Sequence, residues 1–179
     1  MKHPENIIEK YYANNPEAHS ILLTHSRQVA DRAVQIALRH PEFIVDIEFV
    51  YEAALLHDIG IFLCNAPRIF CFGENQYIQH GYLGAELLRS EGLDRHALVC
   101  ERHTGVGISL DIIESRNLPL PHRDMRPISN EEILICYADK FFSKTQLENE
   151  HSIERIIKGL NRHGVEDVEQ FNRWYKMFK

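Results

Sequence analysis

The sequence predicts an all-α, single-domain helical bundle, and three observations predict it. Apolar residues recur at helical spacing through most of the 179 residues, and no alternating Val/Ile/Thr-rich stretch is long enough for a strand. Helix starts are legible at Asn15-Pro16-Glu17 and at the capping box Ser129-Asn130-Glu131-Glu132. Apolar content is 44% and charged content 26%, which fits a globular chain able to bury a core. The length fits one domain over residues 1–179 better than two.

The elements follow in order. A short helix is expected over residues 4–13. The second runs from Pro16 to about His40, where Pro41 stops it, with an inner stripe of Leu22, His25, Val29, Ala33 and Ile36. The third begins near Asp46 and passes Val50, Ala53, Ala54 and His57, with Gly60 as its stop. Residues 63–76 contain Pro67 and Gly73 and read as an irregular excursion. Further helices are expected over about 77–91, ended by Gly92, from Asp94 to Thr104-Gly105, and over 108–116. Three prolines make residues 117–127 a loop. The capping box opens a helix through about Lys144, and two more, roughly 151–163 and 166–177, flank Gly164. The core is expected over about 18–145, with Trp174 and Phe178 packing the last helices onto it.

Charge and composition exclude some functions. A formal net charge of −6 argues against a general nucleic-acid or membrane binder. It leaves room for an anionic small molecule, since local cations outweigh a global sign. The opening MKHPENIIEKYY is too polar for a secretory signal, and no apolar run is long enough to span a bilayer. Cys64, Cys71, Cys100 and Cys136 form no C-x-x-C pair and sit among apolar neighbours, so reduced thiols and a cytoplasmic location are expected. The sequence does not fix the oligomeric state, and a homodimer is compatible with it.

The informative residues are polar ones on apolar faces. AALLHDIGIF (53–62) runs a hydrophobic stripe straight into His57 and Asp58. His25 lies on the buried stripe of its helix. His80 follows Tyr77, His103 follows Val99 and Cys100, and Asp139 follows Ile135 and Cys136, all at helical spacing. One such histidine is most often an ordinary core residue. Four histidines and two aspartates facing inward from five helices make a costly core unless something binds them. A divalent cation removes that cost, because neutral imidazole and carboxylate are its natural partners. Six donors exceed what one ion takes with a position left for water, and Asp58 is the natural bridge between two. Mixed His/carboxylate ligation suits Fe, Mn, Co or Zn.

The ordered set His25, His57-Asp58, His80, His103 and Asp139 resembles the H…HD…H…H…D signature of the HD superfamily of metal-dependent phosphohydrolases. LLHDIG, QHGYLGAELL, ERHTGVG and YADKFFSKT resemble its HDIG subgroup. The resemblance covers roughly residues 18–145. It implies a helical bundle with a central metal site that hydrolyses phosphoesters, often of nucleotides, by a metal-bound hydroxide. It implies that His25, His57, Asp58 and Asp139 are the common ligands. His80 and His103 match the extra ligands of dinuclear members, such as HD-GYP phosphodiesterases and HD-type symmetrical diadenosine tetraphosphate hydrolases. Two departures stand out. Ile61 occupies the place of the Lys that follows HDIG in many members, and the GYP motif is absent.

Phosphoryl transfer needs further cations around the metals. Lys140, beside Asp139, is the candidate for both a catalytic and a phosphate-binding role, with Asp58 as the catalytic carboxylate. Lys144, Arg68 and Arg126 are the other substrate-binding candidates, and Arg123 lies in the same loop as Arg126. Arg27 faces about 200° away from His25, and Arg102 reads as a surface charge. Phe70, Phe72 and Tyr77 read as a small loop core or as stacking surfaces for a base. Gly81 and Gly84 are expected to allow close helix packing. His122, His151 and His163 read as surface residues. The leading reading is thus a phosphohydrolase acting on a nucleotide or other small phosphoester. The alternatives are a non-catalytic nucleotide sensor on the same scaffold, or a dinuclear-iron oxygenase.

Overall fold

The computed structural model describes residues 3–179. The chain is helical almost throughout: α1 (Pro4–Tyr12), α2 (Pro16–Arg39), α3 (Ile47–Leu56), α4 (His80–Ser90), α5 (Asp94–Arg102), α6 (Leu110–Ser115), α7 (Asn130–Asp139), α8 (Ile153–Leu160) and α9 (Val165–Phe178). The caps explain the starts. Asn15 accepts from the Ala18 N–H at 3.1 Å with Pro16 in the first turn, and Asp46 accepts from Phe49 N–H at 3.1 Å. Ser129 accepts from the Glu132 N–H at 3.2 Å, but Glu132 does not reach back to Ser129. Its carboxylate takes the Ile128 N–H at 2.8 Å and Arg102 instead, so only half of the expected capping box forms.

Two apolar clusters organise the molecule. One joins α2 and α3 to α7, α8 and α9, through Val29, Ala33, Val50, Ala53, Ile135, Tyr137, Phe171 and Trp174. The other joins α1 and the first half of α2 to the segment after α3 and to α4 and α5, through Ile8, Tyr12, Leu22, Leu56, Ile59, Leu88 and Cys100. His25 falls in sequence between Leu22 of one cluster and Val29 of the other. The polar side chains of interest therefore lie at the seam where the two apolar masses meet.

Three expectations need correction. Residues 63–76 are not simply irregular: β1 (Asn65–Ala66) and β2 (Cys71–Phe72) pair antiparallel, with a 3-10 turn between them. No side-chain pattern announces a two-residue strand, and Phe70 takes a left-handed turn conformation, φ 57°, without being glycine. Second, α7 ends at Asp139 rather than near Lys144: the N–H groups of Lys140, Phe141 and Phe142 bond three residues back, to the Tyr137, Ala138 and Asp139 carbonyls, and the chain then returns so that the His151 N–H donates to the Phe141 carbonyl at 2.7 Å. Third, Gly60 does not stop a helix. It sits in a 3-10 turn (Ile59–Leu63), and a Cβ there would lie 2.3 Å from the His80 carbonyl and 2.5 Å from Gly84 N. Gly81 and Gly84 do permit the close packing expected of them: added Cβ atoms would meet the Cys100 carbonyl at 2.7 Å and Cys100 Sγ at 2.6 Å. All four cysteines are buried and free, and burial pushes the Cys64 and Cys71 thiols up to about 11 and Cys136 to about 12. Among the described residues no helix is long and apolar enough to cross a membrane.

Candidate metal centre

Helix ends, more than helix faces, assemble the site. His25 comes from the middle of α2. His57 caps the C-terminus of α3 and Asp58 follows it. His80 opens α4, His103 caps the end of α5, and Asp139 is the last residue of α7. All six are buried. Their donor atoms fall into two groups that share one residue: His25, His57, Asp58 and Asp139, and Asp58, His80 and His103, each within 4.8 Å.

Asp58 divides its carboxylate between them. Oδ2 lies 3.1 Å from His25 Nε2 and 3.1 Å from His57 Nε2; Oδ1 lies 3.3 Å from both His80 Nε2 and His103 Nε2. Asp139 Oδ1 stands 3.0 Å from His25 Nε2 and 3.5 Å from His57 Nε2. Three of the imidazoles are oriented from behind. His57, His80 and His103 each place Nδ1 at 2.6–2.7 Å from the carbonyl three residues earlier, those of Ala54, Tyr77 and Cys100. A carbonyl only accepts, so Nδ1 must donate, and in the neutral ring Nε2 is left as a lone pair facing inward.

These residues fit a divalent cation. Both oxygens of Asp58 and His57 Nε2 are fully buried and make no hydrogen bond of good geometry, although nitrogens stand close by. Atoms packed near one another but aimed at a common point are what ligands require and what a hydrogen-bonded core avoids. The donor set of imidazole and carboxylate is that of Zn, Mn, Fe or Co. Electrostatics agree. Burial opposes charge on Asp58 and Asp139, yet Lys144 and His57 hold Asp58 well below the ordinary carboxylate range, and Lys140 and His25 do so for Asp139. Burial also opposes charge on His57, but Asp58 and Asp139 together lift it to about 9; at His103 burial prevails over Asp58 and the imidazole falls to about 4.

The lysines stand over this cluster. Lys140 Nζ is 2.8 Å from Asp139 Oδ2 and donates to the His103 carbonyl at 3.3 Å, so it fixes a carboxylate and a helix end. Lys144 Nζ reaches 2.5 Å from Asp58 Oδ2, and the attraction of that carboxylate outweighs burial to raise its pKa. Ile61, in place of a lysine, is wholly buried in the apolar cluster behind the site. A cavity of about 490 Å³ opens beside the cluster, and Asp139, Lys140, Lys144, Arg68, Tyr77 and His151 are among its walls. The Tyr77 ring stacks on His80 at 4.6 Å.

Arg126 is not brought here. It pairs with Asp124 and lines a separate cleft against α9. Arg123 binds Glu101, Arg102 binds Glu132 at 2.9 Å and Arg27 binds Glu5 at 2.8 Å, so none of the three is free to meet a ligand. His151 was expected at the surface, yet it lines the cavity with its Nε2 buried and unpartnered. Only the return of the chain from Phe141 places it there, and no local pattern encodes that return.

Comparison with known proteins agrees with this architecture. An uncharacterised protein of Methanocaldococcus jannaschii is 35% identical over 146 residues, covering 79% of both chains. Two tRNA (cytidine(56)-2'-O)-methyltransferases are also similar. That of Thermoplasma volcanium is 30% identical over 92% of this chain and 42% of its own length, and that of Picrophilus torridus is 31% identical over 82% and 38%. The chain thus spans less than half the length of those two relatives. Among solved structures, the HD domain of the L. monocytogenes phosphodiesterase PgpH has the same fold. The TM-score is 0.53 at 16% identity over 92% of each chain, and 0.56 for its complex with cyclic-di-AMP, at 16% identity over 93% of this chain and 91% of that one. The HD domain family matches residues 22–144, a span that holds all six clustered side chains, and the chain belongs to that family.

Proposed function

We propose that the protein is a metal-dependent phosphohydrolase acting on a nucleotide or other small phosphoester, in which His25, His57, Asp58, His80, His103 and Asp139 would hold two divalent ions. The observation that carries this reading is the split of the Asp58 carboxylate, one oxygen toward His25 and His57 and the other toward His80 and His103. Ions held there would lower the pKa of water and polarise a phosphoryl oxygen.

The remaining chemistry belongs to side chains. The carbonyls of Ala54, Tyr77 and Cys100 fix three imidazoles with their lone pairs inward. Lys140 holds Asp139 in place as a positioning residue. Lys144 and Arg68, on the walls of the cavity, bring positive charge to where non-bridging phosphoryl oxygens would lie, a task that Ile61 cannot perform. Ile59 and Ile61 behind the cluster exclude water. The relatives named as tRNA methyltransferases and the cyclic-di-AMP complex of the fold neighbour support a nucleotide over other phosphoesters.

The test is metal analysis followed by a phosphoester panel. Phosphate release that disappears in Asp58→Ala, with the melting temperature retained, supports the reading. Tight nucleotide binding without turnover would make the protein a sensor. Oxygen consumption by a reduced iron form would make it an oxygenase.

A further inference from the structure

A second cleft, of about 540 Å³, adjoins the cavity of the metal centre. The two share Lys140 and His151 as walls. Beyond that junction the cleft is lined by Arg155, Lys158 and Arg162, and no carboxylate is among its lining residues. This is unusual in a chain of net charge −6. Several other arginines are neutralised: Arg89 and Arg123 share Glu101, and Arg102 is bound to Glu132. Among the described residues no acid pairs with Arg155, Lys158 or Arg162; the Arg155 guanidinium donates only to the neutral Gln146 side chain, at 2.6 Å.

The arrangement follows from the helix. Ile156 and Leu160 are buried against the bundle. Arg155 and Lys158 are three positions apart and share one face of α8, and Arg162 lies in the turn just beyond its end, so the three are spread along the same cleft. Three unpaired like charges along one cleft repel one another and gain nothing in the folded protein by themselves. An anion with its charge distributed along a comparable length removes that repulsion. A single phosphate is too short to meet all three. α8 also lies outside residues 22–144, the span matched by the HD family.

We propose that Arg155, Lys158 and Arg162 form a track for the non-reacting phosphates of a substrate that carries several phosphates in series, with the reacting phosphate at Asp58 and Asp139. The proposal rests on the phosphohydrolase reading for the reacting end only. A phosphodiester-linked oligonucleotide and a nucleoside polyphosphate share this chemistry.

The test is equilibrium binding by calorimetry to the metal-loaded protein, using three probes: adenosine 5′-monophosphate, a methylene-bridged diadenosine tetraphosphate, and a 5′-phosphorylated phosphorothioate trinucleotide. In the variant R155Q/K158Q/R162Q, binding of at least one multi-phosphate probe should weaken tenfold or more while the monophosphate changes less than twofold. Whichever probe responds identifies the source. The wild-type affinity for that probe should fall steeply with salt, and R155K/R162K should retain it. The single variant Lys158→Gln, at a surface position, gives the same sign if the triple variant melts early. Unchanged binding of both long probes, or an equal loss for the monophosphate, overturns the track. Loss of long-probe binding in a protein that hydrolyses no phosphoester would leave the track standing and remove the reading of the metal centre.

Discussion

The Nε2 atoms of His80 and His103 face one another at 3.0 Å, although each ring has already committed its Nδ1 proton to a backbone carbonyl. Two inward lone pairs at that distance repel unless a proton or a cation stands between them. Asp58 Oδ1, 3.3 Å from both nitrogens, completes the set of donors. His80→Ala and His103→Ala should therefore each lower bound metal from two ions to one per chain, by elemental analysis after dialysis. Asp58→Asn should lose both and reduce hydrolysis by at least about 10²-fold. Two ions retained in His80→Ala would refute the assignment of the second site.

The position of His57 sets a pH dependence. In the metal-free protein its pKa is raised from the usual 6.5 to about 9. A raised folded-state pKa contributes stability that is complete below 6.5 and is lost as pH rises through 9. A metal-loaded His57 is neutral throughout, so the loaded protein does not lose this contribution. The gap in melting temperature between loaded and metal-free protein should widen from pH 6.5 to 9, by up to about 3 kcal/mol in free energy. A constant gap would show that His57 is not a ligand.

Lys140 and Lys144 should separate kinetically. Lys140 acts on Asp139 and the end of α5, so Lys140→Met should weaken metal affinity about 10–100-fold. Lys144 stands over Asp58 at the cavity wall. Lys144→Gln should leave metal content near two and raise KM by about tenfold, the value of one charge-assisted hydrogen bond.

Gly60 tests the packing that sets His80. A methyl group there would lie 2.3 Å from the His80 carbonyl, so α4 must move outward. Gly60→Ala should destabilise the protein by about 1–3 kcal/mol in denaturant unfolding. It should also weaken the second metal more than the first, because His80 travels with α4.

The sequence announced most of this because the signals were local. Caps at Asn15, Asp46 and Ser129, and the apolar stripe through Leu22, His25 and Val29, are properties of a few neighbouring residues. Burial of six ionisable groups at helical spacing was readable for the same reason: water would have to leave each of them. What escaped depended on distant contacts. The role of Gly60 is set by a carbonyl twenty residues on, and the place of His151 by the Phe141 carbonyl that takes its N–H. Arg126 read as a phosphate ligand because loops carry function, yet its partner Asp124 lay two residues away in the same loop. Lys144 was expected to meet substrate, and it does line the cavity, with Nζ 2.5 Å from Asp58 Oδ2.

The donors span residues 25 to 139, and Asp139 is the last to leave the ribosome. A nascent chain stopped before α7 has only part of the first ligand set, so loading must await the second half of synthesis. Once filled, the centre would act as a reversible staple across 114 residues of chain. Chelation would then do more than silence chemistry: it would untie the two apolar masses at their seam.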